Sequence, residues 1–178
     1  MTNTFAQNII PANEAERLKA MRRYQLLEGV PEGYFANMAH IIAQAFDAPI
    51  ALVSLVAEKT VTFPGNVGMP ETKEVPRGLS LCSLAILDEE PTIFTDALEE
   101  PCLLANPLVH GEFGLRFYAG APIVTNDGYA IGTVCIVAKE PRTLSEKEEE
   151  MLKSFARSAM EEIELRHKLL QEGAACNS

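Results

Sequence analysis

Two long apolar segments joined by a polar trio constrain the fold of this chain more than any other feature. The stretch RFYAGAPIVTNDGYAIGTVCIVA (116–138) places Asn-Asp-Gly at 126–128 between two such segments, which predicts a β-hairpin with a tight turn. Antiparallel strands with one wet face alternate apolar with polar residues, yet here nearly every position is apolar. We therefore expect a layer on each face of the sheet. Small residues such as Gly120 and Gly132 leave room for a cavity under one layer.

The composition is that of an ordinary globular protein. The 178 residues are 47% hydrophobic and 22% charged, which suits one domain with a full core. The first ten residues carry neither a basic region nor an apolar core, and no apolar run approaches the ~18 residues of a membrane span. We expect a cytoplasmic protein that does not bind membranes. The net charge of −10, with no basic stripe, also disfavours nucleic acid as a partner.

The cysteines and histidines do not predict a metal site. No two cysteines have the C-x-x-C spacing of a zinc cluster, and the three histidines fall on three different predicted elements. The sequence specifies no cofactor. The cysteines are Cys82, Cys102, Cys135 and Cys176, and the histidines are His40, His110 and His167.

Helices are predicted near both ends of the chain. Asn13 and Glu16 match a capping box that opens a helix reaching Leu26, and a second helix is expected from Pro31. A capping box at Ser145-x-x-Glu148 predicts a long helix that runs to about residue 170. On this last helix Leu152, Ala156, Ala159, Ile163 and Leu170 recur at nearly heptad spacing. Such a seam predicts a homodimer through the C-terminal helix.

Between the helices the sequence alternates strands with irregular segments. Strands are predicted at 50–56, 61–63 and 92–95, a loop at 64–78, a short helix at 79–87 and an irregular lid at 96–114. This order predicts an α+β fold, a mostly antiparallel sheet with terminal helices on one face and lids on the other. We divide the chain into a tail (1–12), a single domain (13–170) and a second tail (171–178).

Six ordered segments resemble the GAF domain family, in the branch found beside bacterial histidine kinases and cyclic-dinucleotide enzymes. The resemblance implies a central antiparallel sheet of about six strands, a lid-covered ligand pocket and a dimerising bundle of terminal helices. Three positions depart from the family pattern: Phe63 stands near an expected Trp, the 96–104 block lacks its Arg and Phe, and Ala138 replaces an Asp. The six segments are ERLKAMRRYQLLEGVPEGYF (16–35), APIALVSLV (48–56), PRGLSLCSLAI (76–86), TDALEEPCLLANPLV (95–109), LRFYAGAPI (115–123) and GTVCIVAKEPRTLS (132–145).

Eight residues are candidates for contact with a ligand in this pocket. Several have alternative structural roles: Asp96 and Asn106 as caps of helical turns, the aromatic residues and cysteines as plain core. Arg116 is a possible ion-pair partner of Asp96. The candidates are Phe63, Cys82, Phe94, Asp96, Asn106, Phe117, Tyr118 and Cys135.

Three functions are compatible with these residues. The leading hypothesis is a non-catalytic sensory module that binds a small molecule and signals through dimeric terminal helices. The second is an enzyme similar to free-methionine sulfoxide reductases, using Cys82 and Cys102, and the third is a dimerising scaffold without a ligand. Neither cysteine precedes a His, which disfavours bilin attachment. Because residues 71–112 carry nine acidic and two basic side chains, we expect a neutral or cationic ligand.

Overall fold

A six-stranded antiparallel sheet forms the centre of the protein. The computed structural model describes residues 2–31 and 33–176. The strands lie in the order β3-β2-β1-β6-β5-β4, and each neighbouring pair is antiparallel. The sheet and the α+β class are therefore as predicted. The strands are β1 (Ile50–Val56), β2 (Thr60–Val67), β3 (Glu74–Pro76), β4 (Thr92–Phe94), β5 (Phe117–Val124) and β6 (Ala130–Ala138).

Helices cover one face of the sheet, and short irregular elements cover the other. Three long helices, α1 (Glu14–Arg23), α2 (Ala36–Phe46) and α5 (Glu146–Cys176), pack on the first face. The second face, which we call the lid side, carries α3 (Cys82–Ala85), α4 (Pro107–His110) and two 3₁₀ turns, Ala97–Glu99 and Pro101–Leu103. Each face has its own apolar core.

Strand alternation explains how one sheet serves two cores. All seven residues of β1 are buried, with Leu52 in the lid-side core and Val53 in the helix-side core. Successive side chains of a strand point to opposite faces, so a strand covered on both sides must be apolar throughout. The almost continuous apolar runs of β1, β5 and β6 therefore correspond to coverage on both faces.

The central hairpin forms at the predicted residues. Thr125 closes the turn, because its backbone N–H donates to Tyr129 O at 3.0 Å and its carbonyl accepts from Gly128 N at 2.9 Å. Gly128 has φ +91°, a left-handed conformation that glycine adopts without strain. The Thr125 hydroxyl also donates to Asp127 Oδ1 at 2.7 Å. The polar trio thus fixes the register of β5 against β6.

Several predicted boundaries are wrong. Asn13 has φ −98° and ψ 25°, not the extended conformation of a side-chain cap, and its side chain makes no cap hydrogen bond. Helix α1 ends at Arg23 because Gln25 adopts φ +55°. Helix α2 begins at Ala36 rather than Pro31, after a turn in which Ala36 N donates to Gly33 O at 2.9 Å.

The predicted loop at 64–78 is also wrong, because β2 continues through Pro64 to Val67 and β3 follows at Glu74–Pro76. Strand β3 pairs only with residues 60–62 of β2, which leaves the rest of β2 at the edge of the sheet. Proline is tolerated at such an edge, since its missing N–H costs no ladder hydrogen bond there.

The long C-terminal helix begins at the predicted capping box. Glu148 N donates to Ser145 Oγ at 3.2 Å, and Ser145 N donates back to Glu148 Oε2 at 2.8 Å. The helix continues past residue 170 to Cys176, so the predicted tail at 171–178 is helical over its described part.

The apolar seam of α5 belongs to the core of this chain. Leu152, Ala156, Ala159 and Ile163 are buried on the helix side of the sheet, where α5 packs on β5 and β6. Those four positions therefore do not need a second chain to cover them. Three leucines farther along the helix are exposed: Leu165, Leu169 and Leu170.

The N-terminal segment, predicted as a tail, packs against the lid side over residues 2–12. Phe5 and Ile9 are buried in the lid-side core. The segment is also hydrogen-bonded: Thr4 N donates to Gly78 O at 3.0 Å, and Ala6 N donates to Cys102 O at 3.3 Å. We call residues 2–12 the N-terminal strap.

A buried ionic cluster fixes the end of the strap. Arg17 and Arg77 are both fully buried, and both donate to the carboxylate of Glu14. Arg77 Nη2 also donates to Ile9 O at 3.3 Å, and Arg17 Nη1 donates to Val56 O at 2.6 Å. Burial raises the pKa of Glu14, but the two guanidinium groups more than offset this and lower it to about 2.

Candidate functional site

The lid side carries a small apolar cavity, partly open to solvent, at the position where the sequence predicts a ligand pocket. Its volume is about 40 Å³, and none of the described residues that line it is charged. Half-buried Phe63, Met69 and Phe113 lie on its outer side, while the sheet and α3 form its inner wall. The lining residues are Leu52, Phe63, Met69, Val75, Ser80, Leu81, Cys82, Leu108, Phe113, Leu115, Tyr118, Cys135 and Val137.

Hydroxyl groups on β1 and β6 lie in the sheet beside this cavity. Ser54 Oγ and Thr133 Oγ1 are 2.8 Å apart, and both residues are fully buried. The strands approach closely here, since a Cβ on Gly132 would lie 1.9 Å from Ser54 O. The two hydroxyls satisfy each other and place polar atoms near an otherwise apolar wall.

Two buried thiols form the inner wall of the cavity. Cys82 Sγ on α3 lies 3.9 Å from Cys135 Sγ on β6. The contact with Cys135, aided by neighbouring hydroxyls and opposed by burial, lowers the pKa of Cys82 to about 5. The same contact, together with burial, raises the pKa of Cys135 well above its ordinary value. The two thiols therefore titrate as a coupled pair in which their contact favours the thiolate at Cys82.

The hydroxyl of Tyr118 is the unsatisfied polar group of this site. Tyr118 is 2% exposed, and its hydroxyl oxygen has no hydrogen-bond partner among the described residues. Its ring lies over Gly120 of β5. A Cβ atom added to Gly120 would be only 2.3 Å from the Tyr118 hydroxyl oxygen, so the ring needs a glycine at this position. Burial, with the nearby Cys82, raises the pKa of Tyr118 well above 10, so the group is a neutral donor at pH 7.

Five of the eight candidate residues lie at or beside the cavity. Phe63, Cys82, Tyr118 and Cys135 line it directly. Phe94 packs behind them, with its ring centroid 6.3 Å from that of Tyr118.

The structure moves the other three candidates away from the cavity. Asp96 Oδ1 accepts from Leu98 N at 3.1 Å and caps a 3₁₀ turn, its alternative structural role. Asn106 is fully buried and caps α4 through Leu108 N, while its amide donates to Leu79 O and Thr4 Oγ1. Phe117 faces the helix-side core, because it precedes the lid-facing Tyr118 on one strand.

The ion pair considered between Arg116 and Asp96 is replaced by backbone contacts. Arg116 Nη1 donates to Val109 O at 2.9 Å and to Leu115 O at 2.8 Å. The nine acidic side chains of residues 71–112 are likewise absent from the described lining of the cavity. The acidic residues therefore do not determine the charge of a ligand in this cavity. Its described wall is apolar.

The thiol pairing differs from the one expected for a reductase. The sequence hypothesis combined Cys82 with Cys102, but Cys102 is half-buried outside the cavity lining and its carbonyl accepts from the strap. Cys135 is the partner instead. Sequence reasoning missed Ser54 and Thr133, for which the available signal was a lone hydroxyl in each of two apolar strands.

Searches for other kinds of site within the described residues are negative. No group of three or more His, Cys, Asp or Glu side chains there is placed to hold a metal ion. Among the helices of residues 2–31 and 33–176, none combines the length and the apolar character needed to cross a membrane.

Comparison with known proteins identifies the family. A family model described as GAF domain matches residues 31–163. The chain belongs to the GAF domain family. A cyclic di-GMP phosphodiesterase from Pseudomonas aeruginosa is 34% identical to this GAF domain over 154 residues, which are 86% of the chain and 26% of that relative. The chain thus spans about a quarter of the length of the curated relative that it matches.

Solved structures share the fold. The GAF domain of an Acinetobacter phosphoenolpyruvate-protein phosphotransferase has a TM-score of 0.63 and 17% identity, covering 88% of this chain and 98% of its own. A free methionine-R-sulfoxide reductase from Neisseria meningitidis, in complex with its substrate, has a TM-score of 0.63 and 17% identity. The match covers 95% of this chain and 98% of that one. A type II free methionine-R-sulfoxide reductase from Thermoplasma acidophilum has a TM-score of 0.60 and 20% identity, and the match covers 82% of this chain and 94% of that one. At these identities the likeness concerns the fold alone.

Proposed function

We propose that this GAF domain is a non-catalytic regulatory module that binds a small, neutral, largely apolar molecule on its lid side and signals through α5. A cytoplasmic location belongs to the same proposal. The lid-side cavity supports it, because apolar walls with a few polar groups are typical of small-molecule sites. The absence of charge from the described lining favours a neutral over a cationic molecule.

The observation that carries the proposal is the position of β5 between the cavity and α5. Tyr118 faces the cavity, whereas its neighbours Phe117 and Ala119 face the helix-side core that contains α5. Close-packed side chains on the two faces of one strand cannot move independently. A ligand that displaces Tyr118 would therefore shift the surface on which α5 rests.

The far end of α5 is suited to carry that shift onward. Up to Arg166 it is tied to the domain, since Arg166 Nη1 donates to Tyr24 O at 3.1 Å and Glu164 accepts from Asn126 Nδ2 at 2.9 Å. Beyond this point Leu169 and Leu170 are exposed. In the curated relative, a cyclic di-GMP phosphodiesterase, the matched region is 26% of the length, so a helix of this kind would have further polypeptide there to act on.

A reductase receives less support from the geometry. A free amino acid substrate carries an ammonium and a carboxylate, and the described lining of the cavity offers no charged partner for either. Turnover of free methionine sulfoxide with thioredoxin as reductant tests this alternative directly. A module that only dimerises, without any ligand, is the third possibility.

Native mass spectrometry of the freshly purified chain, compared with its denatured mass, tests for a bound molecule. We expect extra mass in the native state that is lost on denaturation. Val75→Phe, which enlarges a half-buried residue of the cavity lining, should abolish the extra mass. Val67→Phe is the matched control, because Val67 is half-buried on β2 and does not line the cavity. Equal native and denatured masses in repeated preparations would favour the scaffold.

A further inference from the structure

We propose that Cys82 and Cys135 are a redox-active dithiol, which a small hydroperoxide entering the lid-side cavity oxidises to a disulfide. The inference rests on the proposed function in one respect, because it names a chemistry by which the cavity receives a signal. It is carried by three separate observations: the distance between the two sulfur atoms, the size of the cavity beside them and the unsatisfied hydroxyl of Tyr118.

The two sulfur atoms are placed for bond formation. They are 3.9 Å apart, so the distance between them must shorten by about 2 Å to reach the ~2 Å length of a disulfide. Cys135 is fixed in the centre of the sheet, whereas Cys82 lies on the four-residue helix α3 of the lid. Closure therefore draws α3 toward β6, and α3 also packs on β5.

The cavity suits a small neutral oxidant. A void of about 40 Å³ exceeds the ~10–15 Å³ that one water requires, so it has room for hydrogen peroxide beside the two thiols. Its apolar described lining admits a neutral molecule more readily than an ion. The two thiols are themselves buried, with Cys82 2% and Cys135 0% exposed, so reagents larger than hydrogen peroxide, such as iodoacetamide, reach the sulfur atoms slowly.

The chemistry balances without a further reactant. The Cys82 thiolate attacks one oxygen of hydrogen peroxide, so that an S–O bond forms, the O–O bond breaks, and the leaving hydroxide takes up the proton that Cys82 released. Cys135 then attacks the sulfenic acid of Cys82 as its thiol proton passes to the leaving hydroxide, so that the S–S bond forms, the S–O bond breaks and water is released. Two thiols and one peroxide yield one disulfide and two waters.

Tyr118 is the positioning residue for this reaction. Its buried hydroxyl has a proton to donate and no described partner to receive it, and it lines the same cavity as both thiols. A hydrogen bond from this hydroxyl to the leaving oxygen stabilises the charge that develops there. The contact with Cys135, at 3.9 Å, favours the thiolate form of Cys82, with which the reaction begins.

The experiment uses the full chain with Cys102→Ser and Cys176→Ser, which leaves only the proposed pair. The protein is treated with hydrogen peroxide at pH 7, denatured in N-ethylmaleimide and weighed by mass spectrometry. We expect the loss of two hydrogens, no alkylation, a cross-linked peptide containing Cys82 and Cys135, and reversal by dithiothreitol. Iodoacetamide and free methionine sulfoxide, applied to the folded protein, should leave both thiols unmodified over the same period.

Two further variants in this background test the assigned roles. In Cys135→Ser the oxidation should stop at the sulfenic acid of Cys82, because the second thiol is missing. Dimedone should then label Cys82. Tyr118→Phe should slow oxidation about tenfold, consistent with one hydrogen bond to a charged group, and should shift the pH profile upward, because the Tyr118 hydroxyl also helps to lower the pKa of Cys82. Thermal unfolding establishes that each variant is folded; if one is not, the chain with both native thiols and Tyr118 still decides the proposal.

Full alkylation of both thiols after peroxide treatment would overturn the dithiol, as would rapid disulfide formation with methionine sulfoxide, which indicates a reductase. An unchanged rate in folded Tyr118→Phe would remove the role of Tyr118. Failure of the dithiol is separable from failure of the ligand-binding module. The first is measured by peroxide oxidation, and the second by the native mass of the reduced protein.

Discussion

Arg77 donates from Nη2 to Oε2 of Glu14 across 3.1 Å and thereby joins the lid side to the first helix, 63 residues away in sequence. Glu14 also accepts from Arg17, so two fully buried guanidinium groups share one carboxylate as their counter-charge. Burying a charge is costly unless it is paired, and removing one partner of a buried pair is therefore strongly destabilising.

Glu14→Gln should lower the free energy of unfolding by about 3 kcal/mol at pH 7, because both arginines lose their counter-charge. Glu16→Gln, on the exposed side of the same helix, is the control and should have little effect. Urea denaturation measures both. Equal stability of the two variants would show that the cluster does not hold the strap.

The same carboxylate predicts the acid sensitivity of the protein. In the folded state its pKa is about 2, below the ordinary 4.5, so its stabilising contribution is complete above pH 4.5 and is lost as the pH falls toward 2. Glu14→Gln should flatten the dependence of unfolding free energy on pH in that range. An identical acid dependence in the wild type and the variant would contradict this assignment.

Phe5→Ala tests whether the N-terminal strap is part of the lid. Phe5 is buried in the lid-side core, so its truncation should cost about 3 kcal/mol and speed hydrogen exchange in neighbouring lid segments. Gln7→Ala changes an exposed strap residue and should be nearly neutral. If Phe5→Ala were equally neutral, the strap would be a tail, as the sequence alone predicts.

The predicted homodimer now depends on the exposed end of α5 rather than on the whole seam. Ile163→Glu places a charge in the monomer core and should unfold the protein, whereas Leu169→Glu should leave thermal stability unchanged and dissociate a dimer. Sedimentation velocity at micromolar concentration distinguishes these outcomes. A monomeric wild-type protein under those conditions would contradict the predicted homodimer.

Gly120→Ala tests the packing of Tyr118 over β5. The added Cβ would lie 2.3 Å from the Tyr118 hydroxyl, so the buried ring must move, and we expect a loss of about 1–3 kcal/mol. The control is Gly173→Ala in α5, where a Cβ meets nothing within 4 Å. Thermal unfolding should show a lower midpoint for the first variant only.

The fold was predictable because its main signals are local. The turn at 126–128, the apolar strands beside it and the Ser145 capping box each act within a few residues, and the structure confirms all three. Helix starts were less predictable, since Asn13 has a capping side chain but not the backbone conformation that a cap requires.

The candidate site was predictable only in part, because side-chain direction and partner choice are set by tertiary contacts. Neighbouring Phe117 and Tyr118 are both aromatic, and only the register of β5 decides which faces the lid. The pairing of Cys82 with Cys135 requires α3 to fold over β6, across 53 residues. Spacing in the sequence carries no information about such contacts.

Hydrogen exchange measured by mass spectrometry on Val75→Phe and Val67→Phe tests the central claim, that the lid-side cavity communicates with α5 through β5. We expect that filling the cavity through Val75 alters exchange in β5 and in the buried part of α5, residues 152–163, while Val67→Phe leaves α5 unchanged. Altered exchange confined to β2, β3 and the lid in Val75→Phe, with α5 identical to the wild type, would contradict it.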